Sequence, residues 1–341
     1  ASDVYKRQQY KSHSLDVHIS LTWQLSTLLG NYVTTVPAQM RRGPRWFTGS
    51  ADALFQNLNL LDDMRPEHVI VFGADHIYRL DPRQMLDFHK ASGAGVTVAG
   101  IRVPSEEAFQ FGVIEKEHDG SGIVHFHEKN PDAPTLADAP HQVLASMGNY
   151  IFDADVFREV MTEDASDDRS KHDVGGDIIP KLVAQGRAHV YDYTTNVVPG
   201  VVGREEHYWR DVGTLDSYYD AHMDLVARMP VFNLYNDEWP IFTRTMTEPP
   251  AKIGEGDSGQ STIADSILAS GVIVSGGTVA RSVLSGGVTV TDAEVEDSVL
   301  MQNVQVGAGA RLRRCIIDKN VVIPPGCEIG HDPEADAARF T

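Results

Sequence analysis

Cysteine is nearly absent from this 341-residue chain, which has only Cys315 and Cys327. Two thiols so placed make neither a disulfide framework nor a four-ligand zinc pattern, and they point to a reduced, cytoplasmic compartment. No apolar run approaches the roughly 18 residues needed to cross a bilayer. No signal-peptide pattern is read at the start, which runs Ala1-Ser2-Asp3-Val4 without an initiator Met. Positive charge is also in deficit. The formal net charge is −19, so DNA and anionic membrane surfaces would repel the chain. No nucleic acid and no membrane are expected as partners, while a small basic pocket for phosphate stays compatible. Length and a 42% hydrophobic content suffice for two domains with a sizeable core.

The first two-thirds alternate strand-like and helix-like segments. The apolar run 68–72 ends at Gly73 and reads as a buried strand. Asp81-Pro82 supplies an N-cap and a proline at the first helical position. Met85 and Phe88 give that helix an apolar stripe, and Gly93 ends it. Residues 96–101 form the next strand. This rhythm implies parallel strands with helices on both faces, an α/β domain. Another helix follows Gly49-Ser50, with Leu54, Leu58 and Leu61 on one face, Ser50 as cap and Asp52 in its first turn. A third runs from Thr214 to about Met229, where Pro230 stops it. Four prolines between 230 and 260 mark an irregular connector.

From Ser261 to Gly330 the texture changes to Val, Ile, Gly and Ser, and it repeats. Ser266-Ile267-Leu268, Ser282-Val283-Leu284, Ser298-Val299-Leu300 and Cys315-Ile316-Ile317 are spaced 16, 16 and 17 residues apart. A period of that length is one coil of a β-helix with short faces, whose coils must stack to bury their apolar sides. A β-sandwich also has many short strands, but not a fixed period.

Several residues carry candidate chemistry. Asp75 lies just past the strand 68–72, where open sheets bind ligands, and a carboxylate there suits a Mg²⁺ that bridges phosphates. Alone it fits a turn equally well. Asp211, in Tyr208-Trp209-Arg210-Asp211-Val212-Gly213-Thr214, also reads as a turn residue alone; paired with Asp75 it completes a two-carboxylate metal site. Lys129 follows the strand-like 122–127 and is a compact phosphate partner, though most lysines are solvated surface groups. His125 and His127 alternate on one face, with no third ligand. Gly49-Ser50 opens a helix whose N–H groups suit a nucleotide, and Gln39 suits a base edge. Residues 254–259 match G-x-G-x-x-G but follow no predicted strand, open no helix and hold two acids. They read as a flexible entry to the solenoid.

Taken together, these segments resemble the glucose-1-phosphate adenylyltransferases (ADP-glucose pyrophosphorylases) of the bacterial glycogen type. The likeness runs from Gln9 to the end. It rests on Gln9-Tyr10-Lys11-Ser12-His13-Ser14-Leu15, Pro37-Ala38-Gln39, Trp46-Phe47-Thr48-Gly49-Ser50-Ala51-Asp52-Ala53, Asp75-His76-Ile77-Tyr78, Phe111-Gly112-Val113, Glu128-Lys129, Ala145-Ser146-Met147-Gly148, His172-Asp173, Asp177-Ile178-Ile179-Pro180 and the segment 208–214. The resemblance implies a nucleotide-sugar-transferase-type mixed or parallel sheet flanked by helices, then a left-handed parallel β-helix. It assigns residues 1–8 to an unmatched leader, 9–229 to the catalytic domain, 230–260 to the connector, 261–332 to the β-helix and 333–341 to a tail.

It also implies a reaction: ATP plus glucose 1-phosphate gives ADP-glucose and pyrophosphate. By this resemblance Asp75 and Asp211 hold Mg²⁺, Lys129 grips the sugar phosphate, and Glu128, Gly112 and Ser146 contact glucose. Gln39, Gly49 and Ser50 lie on the adenine side. A homotetramer tuned by metabolites is expected, with Arg313 and Arg314 as anion-effector candidates that equally suit an exposed surface. Two departures stand out. Phe47 replaces the usual Tyr, losing a hydroxyl and keeping the ring. The family's glycine-rich phosphate loop does not precede Gln9, and the chain stops at Thr341 where relatives continue briefly. The expectation is therefore a chain trimmed at both ends that transfers adenylyl groups poorly. A non-catalytic regulatory subunit of the same family stays open, as does an enzyme for another sugar phosphate, such as a mannose-1-phosphate guanylyltransferase. An acyltransferase, which also uses stacked hexapeptide coils, would need a catalytic His, and 261–330 has none.

Overall fold

The computed structural model describes residues 4–8 (backbone only), 12–25, 31–38, 43, 46–244 and 247–339. In chain order the elements are β1 (Val4–Gln8), α1 (His13–Thr22), β2 (Val33–Pro37), α2 (Ser50–Phe55), α3 (Asn59–Met64), β3 (His68–Val71), β4 (His76–Tyr78), α4 (Pro82–Ser92), β5 (Val96–Pro104), β6 (Gly112–Lys116), β7 (Ile123–Glu128), β8 (Gln142–Asp153), α5 (Ala154–Asp164), α6 (Ile179–Ala184), β9 (Ala188–Asp192), β10 (Trp209–Asp211) and α7 (Leu215–Leu225). Short strands of a solenoid follow. The chain divides into two compact units, Ala1–Ala74 with Arg79–Pro199, and Asp75–Tyr78 with Gly200–Thr341.

In the first unit a six-stranded mixed sheet runs β7-β6-β8-β5-β9, with β3 also on β8. The expected crossover from β3 to β5 through α4 is present, but its strands are not neighbours. The long β8 lies between them and pairs antiparallel with both. The one parallel pairing in this sheet is β5 with β9. The sequence pattern missed β8 because Ser146, Gly148 and Asn149 interrupt its apolar run. The core gathers Val96, Val98, Phe152, Phe157, Met161, Ile178, Ile179 and Leu182. Burying each such side chain stabilises the fold by roughly 1.5–3 kcal/mol. β1 and β2 form a separate parallel pair.

Helix α4 follows its sequence signals closely. Asp81 caps it by accepting from Arg83 N at 3.0 Å, Pro82 leads it and Gly93 ends it with φ 65°. Met85 is fully buried, and the Phe88 ring meets Tyr191 at 5.5 Å. The segment after Gly49 differs from expectation. It is two short helices, broken after Phe55, and its N-cap is Gly49 rather than Ser50. Leu54, Leu58 and Leu61 still pack on the core. α7 is capped by Thr214, which accepts from Ser217 N at 3.1 Å, and ends at Leu225, short of Met229.

In the second unit the solenoid is a stack of parallel strands. Ile267, Val283, Val299 and Ile316 align in register, at offsets of 16, 16 and 17. The offset is 16 as far as Gln305 and becomes 17 from Arg311, so the extra residue enters at the corner between them. Asp265, Arg281, Asp297 and Arg314 occupy one corner of successive coils, all with φ between 43° and 49°. The core is Val272, Val274, Leu284, Val290, Leu300, Val306 and Leu312. The G-x-G-x-x-G stretch is not a flexible entry. Lys252–Gly256 and Gly259–Gln260 form a hairpin. Asp292 pins its turn, accepting from Ser258 N at 2.8 Å and Ser258 Oγ at 2.7 Å.

The repeated serines form a buried ladder. Ser282 and Ser298 are fully shielded. Ser282 Oγ donates to Ala280 O at 2.7 Å and accepts from Ser298 N at 3.1 Å. Ser298 Oγ repeats this, donating to Glu296 O and accepting from Cys315 N. Each hydroxyl stitches one coil to the next. Ser282→Ala would strand the Ser298 N–H, while Ala280 O keeps its bond from Asp297 N, and should destabilise the solenoid by about 1–3 kcal/mol. A lowered denaturation midpoint checks this; an unchanged one counts against the ladder.

Candidate active site

Two groups of expected site residues can be located, one in each compact unit. In the second unit, β4 pairs antiparallel with β10, with Asp211 opposite His76. The pairing continues past the strand, because Val212 N donates to Asp75 O at 2.9 Å. It brings Asp75 and Asp211 to one imidazole. His76 Nε2 lies 3.7 Å from Asp75 Oδ1 and 4.0 Å from Asp211 Oδ2. The His76 ring rests on Trp209 at 5.1 Å. Gly213 N donates to Asp211 Oδ1 at 2.6 Å. A Cβ on Gly213 would stand 2.9 Å from Asp211 Oδ1 and 3.8 Å from Asp75 Oδ2. The tight approach to Asp211 favours glycine here, while the Asp75 distance is ordinary contact. The paired carboxylates follow from the sequence; the imidazole between them does not, because nothing in the motif separates a site His from a strand His.

This donor set fits a divalent cation. Two hard carboxylates on an open edge suit Mg²⁺, which takes few protein ligands and completes its shell with water and phosphate. Asp75 has a side chain 63% exposed and Asp211 one 36% exposed, so both can reach a phosphate-borne ion.

In the first unit, Glu128 closes β7 opposite Gly112 of β6. A Cβ on Gly112 would strike the Phe126 ring and lie 3.0 Å from Glu128 Oε2, so a glycine there is a packing requirement. Lys129 follows with φ 48°. That left-handed backbone costs a non-glycine residue roughly 1–3 kcal/mol, and strain of this kind gathers at functional sites. It is held by Lys129 N donating to Phe111 O at 3.0 Å.

A second carboxylate joins them. Asp173 Oδ1 accepts from Gly176 N at 2.8 Å, and its Oδ2 accepts from Ser50 Oγ at 2.9 Å. Glu128 keeps an exposed edge, but partial desolvation beside Gly112 and Gly175 raises its pKa above the ordinary value. The Asp173 charge pushes the same way, and Lys129 opposes both. Tyr150 feels the same two acids. Burial chiefly, with Glu128 and Asp173 adding, pushes its phenol up to about 12, while a hydrogen bond with the buried Ser146 works against the shift. Asp173 and Tyr150 were not singled out in the sequence, where their signal was only the His172-Asp173 pair.

Gly49 and Ser50 sit against the segment that carries Asp173. Ala51 N donates to His172 O at 2.8 Å, so that helix-terminal donor is already engaged. Ser50 Oγ accepts from Val174 N at 2.9 Å. A Cβ on Gly49 would run into the His172 carbonyl. Phe47 is half-buried, and Gln39 lies outside the described residues. Among the described residues His125 and His127 belong to no three-ligand cluster, and His127 pairs with Glu115 at 3.3 Å. In the solenoid, Arg313 faces Glu296 at 3.5 Å.

Comparison with known proteins identifies the family. The nucleotidyl transferase family matches residues 4–228, and a GlmU-like C-terminal hexapeptide family matches 249–341. A glucose-1-phosphate adenylyltransferase of Frankia casuarinae is 58% identical over 97% of this chain and 81% of its own length. One of an Arthrobacter species is 57% identical over 97% of this chain and 72% of its own length. That of Corynebacterium jeikeium is 54% identical over 98% and 82%. No helix among the described residues is long and apolar enough to cross a membrane. With sheet, hexapeptide solenoid and paired carboxylates in place, the chain belongs to the glucose-1-phosphate adenylyltransferases of the nucleotidyl transferase family.

Proposed function

We propose that this chain transfers the adenylyl group of ATP to α-D-glucose 1-phosphate, forming ADP-glucose for glycogen or α-glucan synthesis. The observation that carries this reading is the convergence of Asp75 and Asp211 on His76. A phosphate oxygen of the sugar forms a bond to the α-phosphorus of ATP. The bond from that phosphorus to the bridging oxygen breaks, and pyrophosphate leaves with its electron pair. No carbon centre changes, so the protein's task is positioning and charge neutralisation.

Asp75 and Asp211 would hold the divalent cation, Mg²⁺ in this proposal, which would offset phosphate charge when bound. Lys129 would hold the sugar phosphate as a compact cation on a fixed backbone. Glu128 would accept hydrogen bonds from glucose hydroxyls, with Gly112 giving the ring close access and Ser146 a second polar contact. Phe47 would keep the ring contact of the usual Tyr without its hydroxyl. Gln39, Gly49 and Ser50 are assigned to the adenine side on the family resemblance alone. A cytoplasmic homotetramer belongs to the same proposal, on the same support.

Lys129→Ala should raise KM for glucose 1-phosphate about 10- to 100-fold, with KM for ATP little changed, as loss of a charge-assisted contact predicts. Asp211→Asn should instead lower kcat by about 100-fold or more and shift the Mg²⁺ dependence. Pyrophosphate release measured against each substrate separates the two. Equal effects on both KM values in Lys129→Ala would contradict the assignment.

Glu128 generates a pH prediction. Its folded pKa is raised above 4.5, so the folded chain holds that proton more tightly than the unfolded chain. Ionising it therefore costs stability as pH rises through this window. Glu128→Gln should melt higher than the parent near neutral pH, with the gain shrinking as pH falls toward 4.5, while binding glucose 1-phosphate more weakly. Melting curves across pH check the sign; a lower melting temperature at neutral pH would reverse it.

A further inference from the structure

Three side chains in the first unit meet without any role in the reaction above. His68 begins β3, His89 lies on the inner face of α4, and Asp153 ends β8 opposite His68 in the strand register. Asp153 Oδ1 is 3.3 Å from His68 Nδ1 and 3.3 Å from His89 Nε2. The three donor atoms lie within 4.8 Å of one another. The two imidazoles stand edge to face, 5.2 Å apart at 89°.

His89 Nε2 and Asp153 Oδ1 share a hydrogen bond, but two details set the cluster apart from a fully satisfied one. Asp153 is the N-cap residue of α5, yet its side chain makes no capping hydrogen bond. Its carboxylate is turned to the histidines instead. His68 Nδ1 is shielded from solvent and has no hydrogen-bond partner, although the carboxylate is 3.3 Å away. A shielded ring nitrogen left without a hydrogen-bond partner is costly, and a cation held between it and the carboxylate would satisfy it.

A tetrahedral metal supplies that. Zinc bonds of 2.0–2.1 Å put neighbouring donor atoms about 3.3 Å apart, the separation seen here between Asp153 Oδ1 and each histidine nitrogen. His89 is almost wholly buried, and its Nδ1 is 2.8 Å from Thr97 Oγ1, a partner that fixes the ring and leaves Nε2 to face the carboxylate. Asp153 has a side chain 44% exposed, so water can complete the shell. Two imidazoles and one carboxylate favour a transition metal over Mg²⁺, which prefers oxygen donors throughout.

We propose that His68, His89 and Asp153 form a site for one divalent transition metal of the zinc class, which staples the start of β3, the helix α4 and the start of α5. It uses none of the residues assigned to the adenylyl transfer. The test takes the full chain, stripped with chelator, and titrates it with zinc chloride alone in excess Mg²⁺. Calorimetry and metal analysis after gel filtration give the stoichiometry. His68→Gln and Asp153→Asn, each checked for native circular dichroism, should bind one zinc fewer per chain, or bind it at least about tenfold more weakly. Zinc should also raise the melting temperature of the parent and not of the variants. Asp153→Asn decides the matter should His68→Gln not fold, because its side chain is exposed and caps nothing. Zinc binding and thermal shift unchanged in a folded variant would overturn the proposal, as would a parent chain that binds no zinc.

Discussion

Two carboxylates of like charge must be held at one imidazole, and the second compact unit is organised around meeting that demand. Asp75 and Asp211 are far apart in sequence, so only strand pairing can bring them together. The three-residue register of β4 with β10 does so, and the Val212 to Asp75 hydrogen bond extends it. So short a ladder is weak alone and needs support from its flanks. Trp209 backs the imidazole, and Thr214 caps α7 directly after the glycine. On α7, Tyr219 donates to Asp297 O of the solenoid at 2.6 Å. The carboxylate pair thereby belongs to the same compact unit as the stacked coils. One helix thus links the carboxylate pair to the solenoid, with its serine ladder and dry Val and Leu core.

The first unit faces a related problem with a different answer. Glu128 and Asp173 crowd one region, and the cost appears as a raised Glu128 pKa. Lys129 offsets part of it, but only from a left-handed backbone fixed by Phe111 O. His172, beside Asp173, is left-handed too, with its ring tied to Asp164 at 2.8 Å. Both strained residues sit next to an acid that points into the same cluster. Such an arrangement is stable only when surrounding bonds over-determine it, as the Ser50, Val174 and Gly176 contacts to this segment do. Acid strength and strain are set here by packing.

Much of this was legible in the chain. The solenoid announced itself through Ser282, Ser298 and Cys315 at a fixed period, since a stacked coil forces the same residue type to the same corner. α4 was legible because Asp81, Pro82 and Gly93 are local signals. β8 was not, because a strand buried on both sides needs no alternation and can carry Ser146 and Asn149 inside. The split between α2 and α3 was hidden because Leu54, Leu58 and Leu61 keep one face across the break. Asp75 and Asp211 were found by place and motif. His76, Asp173 and Tyr150 were not, because their part depends on which residues the fold sets beside them. Gln39 falls outside the described residues, so its part rests on resemblance.

The central claim is that the carboxylate pair and the Glu128-Lys129 cluster serve adenylyl transfer to a hexose 1-phosphate. The most direct measurement is pyrophosphate release from a matrix of nucleoside triphosphates and sugar 1-phosphates, run with the parent chain and with Asp75→Asn. The account predicts turnover with ATP and glucose 1-phosphate above every other pair, abolished in the variant. Preference for GTP with mannose 1-phosphate, or turnover that survives Asp75→Asn unchanged, would contradict it.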